Sequence, residues 1–456
     1  MDTSETSYQT DRPATAGEIG AGRVDAESMR SITAASDSRS KWIAAFRAMR
    51  HRNFRLFFGG QLVSLIGTWM QMVAQSWLVL RLTNSSMMLG VVSFASYVPI
   101  LIVALFAGVV VDKVDRRRLI LMAQTLQMAS AFVLAGLTWL GVVRVEHVII
   151  LAAFNGLVSS FDMPARQAFV VEMVGLEDLP NAIALNSMIF NGARTIGPAV
   201  AGVLIAVAGT ATCFFLNGVS FLAVIWSLLA MTLARRAVPS DGSAMLERVR
   251  QGLNYVWRHS PSFTLLVLVA INSGFGVQYT VLIPVFARDI LHGGARGYGF
   301  LMAAQGVGAV FGAMSLASRS GTARALRQNL SAGLFCTAAA TVMFGLSSSM
   351  VLSMAAQMLI GAGIINYMAA TNTLLQLFVS DELRGRVMSI YTLSFIGLAP
   401  LGALGVGFVG EHLSPEIAVV ICGVISLGCA GLLALRLPMI AGAQAEISPE
   451  PQPVTD

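Results

Sequence analysis

Twelve apolar runs, each of about 20 to 27 residues, divide this chain. A helix of that length crosses about 30 Å of hydrocarbon, and a helix satisfies its own backbone groups inside lipid. Charged residues make up 12% of the 456-residue chain, about half the share typical of soluble domains. We therefore predict an all-α, polytopic membrane protein with twelve transmembrane helices. The predicted spans are 54–80, 87–111, 119–142, 147–171, 182–208, 210–233, 262–287, 298–317, 329–347, 350–376, 387–410 and 416–435.

Basic residues favour one side of the predicted membrane. With the N-terminus inside, the inner segments from Lys41 onward, counted with Arg55 at the inner end of span one, hold 20 Lys and Arg residues, whereas the outer loops hold four. Because basic loops stay in the cytoplasm, both termini are predicted to be cytoplasmic, and the protein is predicted to lie in the bacterial cytoplasmic (inner) membrane. Residues 1–40 are polar and rich in Ser, Thr and Ala, which predicts a disordered tail. A second cytoplasmic tail is predicted over 437–456.

The chain repeats itself at an offset of 204 residues. The matched pairs are Gly108 with Gly312, Asp162 with Asn366, and Leu179 with Leu383. Parallel repeats of this kind build one class of secondary transporter. We predict two pseudo-symmetric six-helix halves, over 41–233 and 262–436. The segment 234–261 between them has apolar residues at helical spacing and is predicted to be a cytoplasmic linker with an amphipathic helix.

The sequence lacks the residue patterns required for ATP hydrolysis, metal binding and enzyme catalysis. Lys41 and Lys113 are the only lysines, and neither stands in a Gly-rich phosphate-binding sequence, so ATP hydrolysis is not expected. The five histidines and four cysteines show no metal-ligand spacing, and no nucleophile–base pattern lies within a span. We expect no enzyme activity, no catalytic residues, no cofactor, no metal and no nucleic-acid partner.

The inner loop between spans two and three reads GVVVDKVDRRR over 108–118. Its Gly, Asp and paired Arg are similar to the loop signature of the major facilitator superfamily. The resemblance implies a gating loop of Gly108, Asp112, Arg116 and Arg117, in which the acid and the arginine latch the inward-closed state. The alternative is ordinary anchoring of the loop by positive charge.

Span five contains NGARTIGPAVAG over 191–202, which resembles the Gly-Pro antiporter motif of exporters in the same superfamily. The resemblance implies an antiporter-like motif and outward transport. Small residues in spans two, five, eight and eleven would let the two halves pack closely and rock, although plain helix packing explains them as well. The motif residues are Gly192, Gly197, Pro198 and Gly202.

Two further stretches are similar to the enterobactin-exporter-like branch, also called the transmembrane secretion effector group. They are PARQAF in span four and DELRGRVMS over 381–389. The resemblance covers about residues 45–436.

Span four carries Asp162 and Arg166 one helical turn apart. Each charge at bilayer mid-depth costs about 2.5–3.5 kcal/mol, and Asp four residues before Arg is the favourable order for an ion pair. Arg194 on span five is predicted as a second cationic partner. We predict that Asp162, Arg166 and Arg194 couple transport to protons. The alternative is that Asp162 pairs with Arg116 and serves only the inner latch.

Polar side chains share one face of span one and are predicted to line a substrate cavity. The alternative is hydrogen bonding between helices, at about 0.6 kcal/mol per bond. On span one the cavity candidates are Gln61, Ser64, Thr68, Gln71 and Gln75, and elsewhere they are Asn155, Ser159, Asn191, Asn272, Gln278 and Asn366.

These features predict a secondary active transporter that works by alternating access. We expect it to export a small amphipathic molecule, a drug or a siderophore-like metabolite, in exchange for protons. Its expected partners are that molecule, protons and the lipid bilayer, and it is expected to be monomeric. Proton-coupled uptake by symport is an alternative within transport. A non-transporting membrane scaffold or sensor is the alternative from another class.

Overall fold

The computed structural model describes residues 46–232, 253–319 and 323–447, which are helical without a strand. The predicted tail 1–40 and residues 233–252 of the predicted linker lie outside the described residues, as do residues 320–322 and 448–456.

The helices follow one another in two sets of similar length. The first set is α1 Arg52–Thr83, α2 Ser86–Lys113, α3 Arg116–Trp139, α4 Val145–Val174 and α5 Leu179–Leu229. The second set is α6 Ser260–Ile271, α7 Gly294–Arg319, α8 Ala323–Gly345, α9 Met350–Phe378, α10 Asp381–Gly397, α11 Ala399–His412 and α12 Pro415–Ile447.

Ten helical stretches of the described residues are long and apolar enough to cross a membrane. One of them, α5, has 51 residues, about twice the length that a bilayer needs. Gly209 within it has φ 80° and ψ 171°, which interrupts the helix where the predicted spans 182–208 and 210–233 meet. The helix α8 has 23 residues and is not among the ten. The count of twelve requires two crossings by α5 and one by α8, and it stays a prediction.

The chain loses regular α-helical form after α6. Residues Asn272–Gly276 are π-helical, Gln278–Leu282 form a 3₁₀ helix, and Phe286–Ile290 are π-helical again. Glycines at 274 and 276 and a proline at 284 weaken regular helix formation here. The prediction of one regular span over 262–287 did not include this distortion, which is of a kind often found at functional hinges.

Two other predicted boundaries differ from the structure. The predicted span 387–410 consists of α10 and α11, which are separated at Leu398. The helix α12 continues to Ile447, so the predicted tail 437–456 begins as helix. Burial explains the extension, because Ile440 is 0% exposed within a hydrophobic cluster of the second half.

The described end of the predicted linker packs on the second half. Residues 253–258 are helical, and Val256 is only 3% exposed within that half's cluster. The Tyr255 hydroxyl donates a hydrogen bond to the Phe378 carbonyl at 2.7 Å. This part of the linker therefore contacts protein.

Hydrophobic clusters show how the halves are joined. One cluster contains residues of both halves, such as Trp77 and Tyr298, whose rings stack with centroids 6.3 Å apart. Two other clusters each belong to one half, and they contain Phe169 of the first and Phe378 of the second. The two halves therefore share a core at one end of the helices.

Packing between α11 and the irregular segment can be tested at Gly402. A Cβ on Gly402 would overlap the Gly274 carbonyl oxygen. Gly402→Val is therefore expected to lower the melting temperature of the purified protein in detergent, since overpacking costs about 1–3 kcal/mol. The matched control is Gly405→Val, because a Cβ there meets nothing within 4 Å. Equal melting temperatures for the two variants would contradict this packing.

Candidate functional site

The polar stripe of α4 faces α3. Three hydrogen bonds join the helices: Asn155 Nδ2 to Ser130 Oγ at 2.9 Å, Gln127 Nε2 to Ser159 Oγ at 3.3 Å, and Gln124 Nε2 to Asp162 Oδ1 at 3.3 Å. Two cavity candidates, Asn155 and Ser159, thus bond to a neighbouring helix of their own half. The α3 partners were missed, although polar residues spaced three apart in its sequence provided a signal.

Asp162 and Arg166 form the ion pair that their spacing predicted. Asp162 is 5% exposed, and its Oδ2 lies 2.7 Å from Arg166 Nε. The two alternative partners expected for Asp162 bind other residues. Arg116 Nη1 lies 2.5 Å from Glu172 Oε1, and Arg194 bonds to Gln305. Each charge of the Asp162–Arg166 pair is therefore compensated within one turn of α4.

The gating-loop arginines join the ends of helices in the first half. Arg116 on α3 pairs with Glu172 on α4, and Arg117 Nη2 donates to the Leu229 carbonyl at 3.1 Å. Leu229 is the last residue of α5, where a cation interacts favourably with the helix dipole. The side-chain positions at Gly108 and Asp112 lie outside the described part of the chain.

The polar face of α1 is divided between buried and open positions. Gln61 and Ser64 are buried, Gln71 Oε1 accepts a hydrogen bond from Asn217 Nδ2 at 2.7 Å, Gln75 is partly buried and Thr68 is exposed. At Gln71 this face therefore packs on α5 of the same half.

Amide cavity candidates elsewhere bond mainly to the backbone near them. The donor–acceptor pairs are Asn191 to Ser187 O at 2.8 Å, Gln278 to Ser273 O at 2.8 Å, and Asn366 to Ala362 O at 3.0 Å. Asn272 is fully buried.

Two seams of small residues join the halves. On the first, α5 packs on α7, and a Cβ on Gly202 would lie 2.9 Å from the Ala295 carbonyl oxygen. On the second, α2 packs on α11, and a Cβ on Gly90 would lie 2.6 Å from the Ala403 carbonyl oxygen. The two halves thus approach through their backbones.

The antiporter-like motif lies partly on the first seam. A Cβ on Gly299 of α7 would lie 2.5 Å from the Pro198 carbonyl oxygen. Gly197 faces α1 instead, where a Cβ would lie 2.6 Å from Trp69 Cβ, and a Cβ on Gly192 would meet nothing within 4 Å. The motif therefore provides close contacts both within the first half and between the halves.

Glu411 of the second half binds the start of α2. Its Oε2 accepts hydrogen bonds from the Ser86 amide at 2.7 Å and the Met87 amide at 3.3 Å. These amides belong to the first turn of α2, where backbone N–H groups have no partner within the helix. A carboxylate there also interacts favourably with the helix dipole.

Arg288 of the second half binds the end of α1. Its Nη1 donates to Asn84 Oδ1 at 2.6 Å and to the Leu80 carbonyl at 3.3 Å. Asp289 orients the guanidinium through two hydrogen bonds, at 2.6 Å and 2.9 Å. We name the contacts of Glu411 and Arg288 with the α1–α2 turn the outer clamp, after the predicted orientation.

A chain of hydrogen bonds crosses the first seam in the middle of the helices. Arg194 Nη2 donates to Gln305 Oε1 at 3.1 Å, Gln305 Nε2 donates to Tyr279 Oη at 3.0 Å, and Tyr279 Oη donates to Gln357 Oε1 at 3.0 Å. The last three side chains are at most 2% exposed. Arg194 is thus bound to the second half, and we name these four residues the seam chain.

Comparisons with known proteins agree with this architecture. The profile of a family described as transmembrane secretion effector matches residues 43–454. The staphyloferrin A transporter of Staphylococcus aureus is 26% identical over 77% of this chain and 87% of that protein. The multidrug efflux pump Tap of Mycolicibacterium fortuitum is 25% identical over 75% of this chain and 85% of that protein. An inward-facing bacterial homologue of the iron transporter ferroportin has the same fold, with a TM-score of 0.66 at 16% identity, covering 84% of this chain and 98% of that one.

The outer clamp can be tested by the accessibility of the seam behind it. Arg288→Gln removes a guanidinium that binds the end of α1, and a hydrogen bond to a charged group contributes about 1.5–3 kcal/mol. We expect a cysteine introduced by Ala295→Cys to react several-fold faster with a membrane-impermeant maleimide when Arg288→Gln is also present, because Ala295 packs at Gly202 on the seam.

The matched control for the clamp is Arg81→Gln, which removes an exposed arginine from the last turn of α1. The parent protein with its four native cysteines gives the background rate. If Arg288→Gln and Arg81→Gln give the same labelling rate at position 295, Arg288 does not hold this end closed.

Proposed function

Because the chain belongs to the transmembrane secretion effector family, we propose that it exports a small amphipathic molecule by alternating access, in exchange for protons. The family and the relatives are transporters, not enzymes. The chain is accordingly a multi-pass membrane transporter of the major facilitator type. The direction, the protons and the cargo are the proposed parts.

The observation that carries alternating access is the unequal joining of the halves. A shared hydrophobic cluster and the outer clamp close one end, and separate clusters in each half lie away from it. With the proposed cytoplasmic termini, the closed end faces outward and the other end faces the cytoplasm. A conformation of this kind suits loading of cargo from inside the cell.

The antiporter-like motif and the sequence relatives support the proposed direction. The motif resembles that of exporters, and its Gly202 and Pro198 lie on the α5–α7 seam, where small residues let the two helices approach closely. The two sequence relatives described above are a multidrug efflux pump and a staphyloferrin A transporter. We propose a small drug-like or siderophore-like cargo, a monomer in the bacterial cytoplasmic membrane, and both termini inside.

The Asp162–Arg166 pair is the proposed proton-coupling site. Ionisable residues inside membrane spans frequently form proton relays in transporters. In this conformation the Asp162 carboxylate binds Arg166 and accepts a hydrogen bond from Gln124. Proton binding to Asp162 would neutralise the carboxylate and release Arg166, and proton loss would restore the pair. Arg194, the third coupling candidate, bonds to Gln305 and not to Asp162 in this conformation.

Drug uptake into proteoliposomes with an acidic interior tests this proposal. The probe is norfloxacin, an amphipathic and intrinsically fluorescent drug. We expect the wild-type protein to accumulate norfloxacin only while the pH gradient lasts, and Asp162→Asn to slow accumulation about tenfold or more, because a neutral amide cannot carry the proton. The control variant is Glu146→Gln, an exposed carboxylate in the first turn of α4, which should match the wild type.

Other results would each contradict a part of the proposal. Uptake by Asp162→Asn that still follows the pH gradient would exclude Asp162 as the coupling group. Wild-type accumulation driven by the opposite gradient would indicate symport. Uptake that no gradient changes would exclude proton coupling.

A further inference from the structure

Arg194 lies where three helices meet. Its Cζ atom is 5.9 Å from the centre of the Trp69 ring on α1, and its Nη2 donates to Gln305 on α7. Both partners are electrically neutral. Arg194 takes part in none of the ion pairs formed among residues 46–232, 253–319 and 323–447.

The contrast with Arg166 shows what is unusual here. A guanidinium within a membrane span can be neutralised by a carboxylate, as Arg166 is by Asp162 at 2.7 Å. An amide oxygen and an aromatic face attract the cation but do not neutralise it. Arg194 therefore retains the positive charge, and N–H donors beyond the one given to Gln305, with which to bind an anion.

The surface beside Arg194 is partly open and aromatic. Phe190 lies four residues earlier, on the same face of α5, and it is 45% exposed. Its ring packs edge-to-face on Trp69 with centroids 5.7 Å apart. Asn191 on the same side is only partly buried. A flat apolar group placed on Phe190 would thus have its polar end at the guanidinium.

The size of the charge limits the ligand. One arginine balances one negative charge, and its planar fork matches a carboxylate in particular. We infer that Arg194 binds the carboxylate of a monoanionic cargo whose aromatic or other flat apolar body lies on Phe190 and Trp69. The inference rests on the proposed function in one respect, that the bound anion is the molecule transported.

Through the seam chain, binding of an anion at Arg194 would affect residues of the second half. An anion at Arg194 competes with Gln305 Oε1 for the guanidinium, and Gln305 also binds Tyr279. Tyr279 belongs to the irregular segment after α6, which continues to Arg288 of the outer clamp. Cargo binding thereby weakens a bond between the halves that ends on the segment carrying the clamp.

Binding of two matched probes to the purified wild-type protein tests the inference. The probes are 2-naphthoate and the neutral 2-naphthamide, titrated calorimetrically at pH 7. We expect 2-naphthoate to bind about tenfold tighter, since the two differ mainly in the charge that Arg194 recognises. Arg194→Gln should lower the affinity for 2-naphthoate about tenfold and leave 2-naphthamide within about twofold. Arg194→Lys, which keeps the charge but not the fork, should keep part of the preference.

The control is again Arg81→Gln, which should bind both probes as the wild type does. Equal affinity of the wild type for the two probes, absence of binding by both, or an equal loss of both in Arg194→Gln would overturn the inference. If Arg194→Gln does not fold, the wild type and Arg194→Lys still decide it. If the protein prefers 2-naphthoate but shows no gradient-driven uptake of norfloxacin, only the export proposal is contradicted. If it takes up norfloxacin but binds both probes equally, only the anion site is contradicted.

Discussion

Close approach of backbones at small residues is the constraint on which the rest of this structure depends. Inside lipid, helices gain little from apolar burial against one another, so packing and hydrogen bonds must hold them together. Gly202 and Gly299 bring α5 onto α7, and Gly90 brings α2 onto α11. Only at such distances does Arg194 reach Gln305 and Glu411 reach the start of α2. The seams thus position these two polar contacts between the halves.

The charged residues in the spans are handled in two ways. Asp162 and Arg166 neutralise each other within α4 and bond to α3 of the same half. Arg194 binds neutral groups and faces the other half. The Asp162–Arg166 pair could exchange a proton without movement of one half against the other. The contact of Arg194 with the second half would instead change when a ligand binds between the halves. In the proposed account, proton coupling and cargo recognition belong to different residues of the first half.

Local patterns in the sequence predicted much of this arrangement. The four-residue spacing of Asp162 and Arg166 predicted their ion pair, and the break between spans five and six was predicted within a residue of Gly209. The lengths of the apolar runs predicted where the helices lie, because the thickness of the bilayer sets the length of a membrane-spanning helix.

Contacts between distant segments could not be predicted in this way. Glu411 and Ser86 are 325 residues apart, and Arg194 and Gln305 are 111 apart, so neither contact leaves a periodic signal. The irregular segment after α6 reads as one apolar run, and its glycines and proline weaken an α-helix without specifying the π-helical and 3₁₀ turns that replace it. The polar face of α1 suggested a cavity, yet Gln71 bonds to Asn217, because spacing identifies a face but not its neighbour.

The central claim is that the halves rock about these seams, and distances across both ends test it most directly. Spin labels introduced by Leu140→Cys and Leu346→Cys would report on the end with the outer clamp, and labels at Leu176→Cys and Gly385→Cys on the opposite end; all four positions are exposed. Pulsed electron–electron double resonance measures the distance within each pair of labels, before and after the pH is lowered in the presence of norfloxacin. The account predicts that one distance lengthens while the other shortens. Distances that stay fixed, or that change in the same direction at both ends, would contradict it.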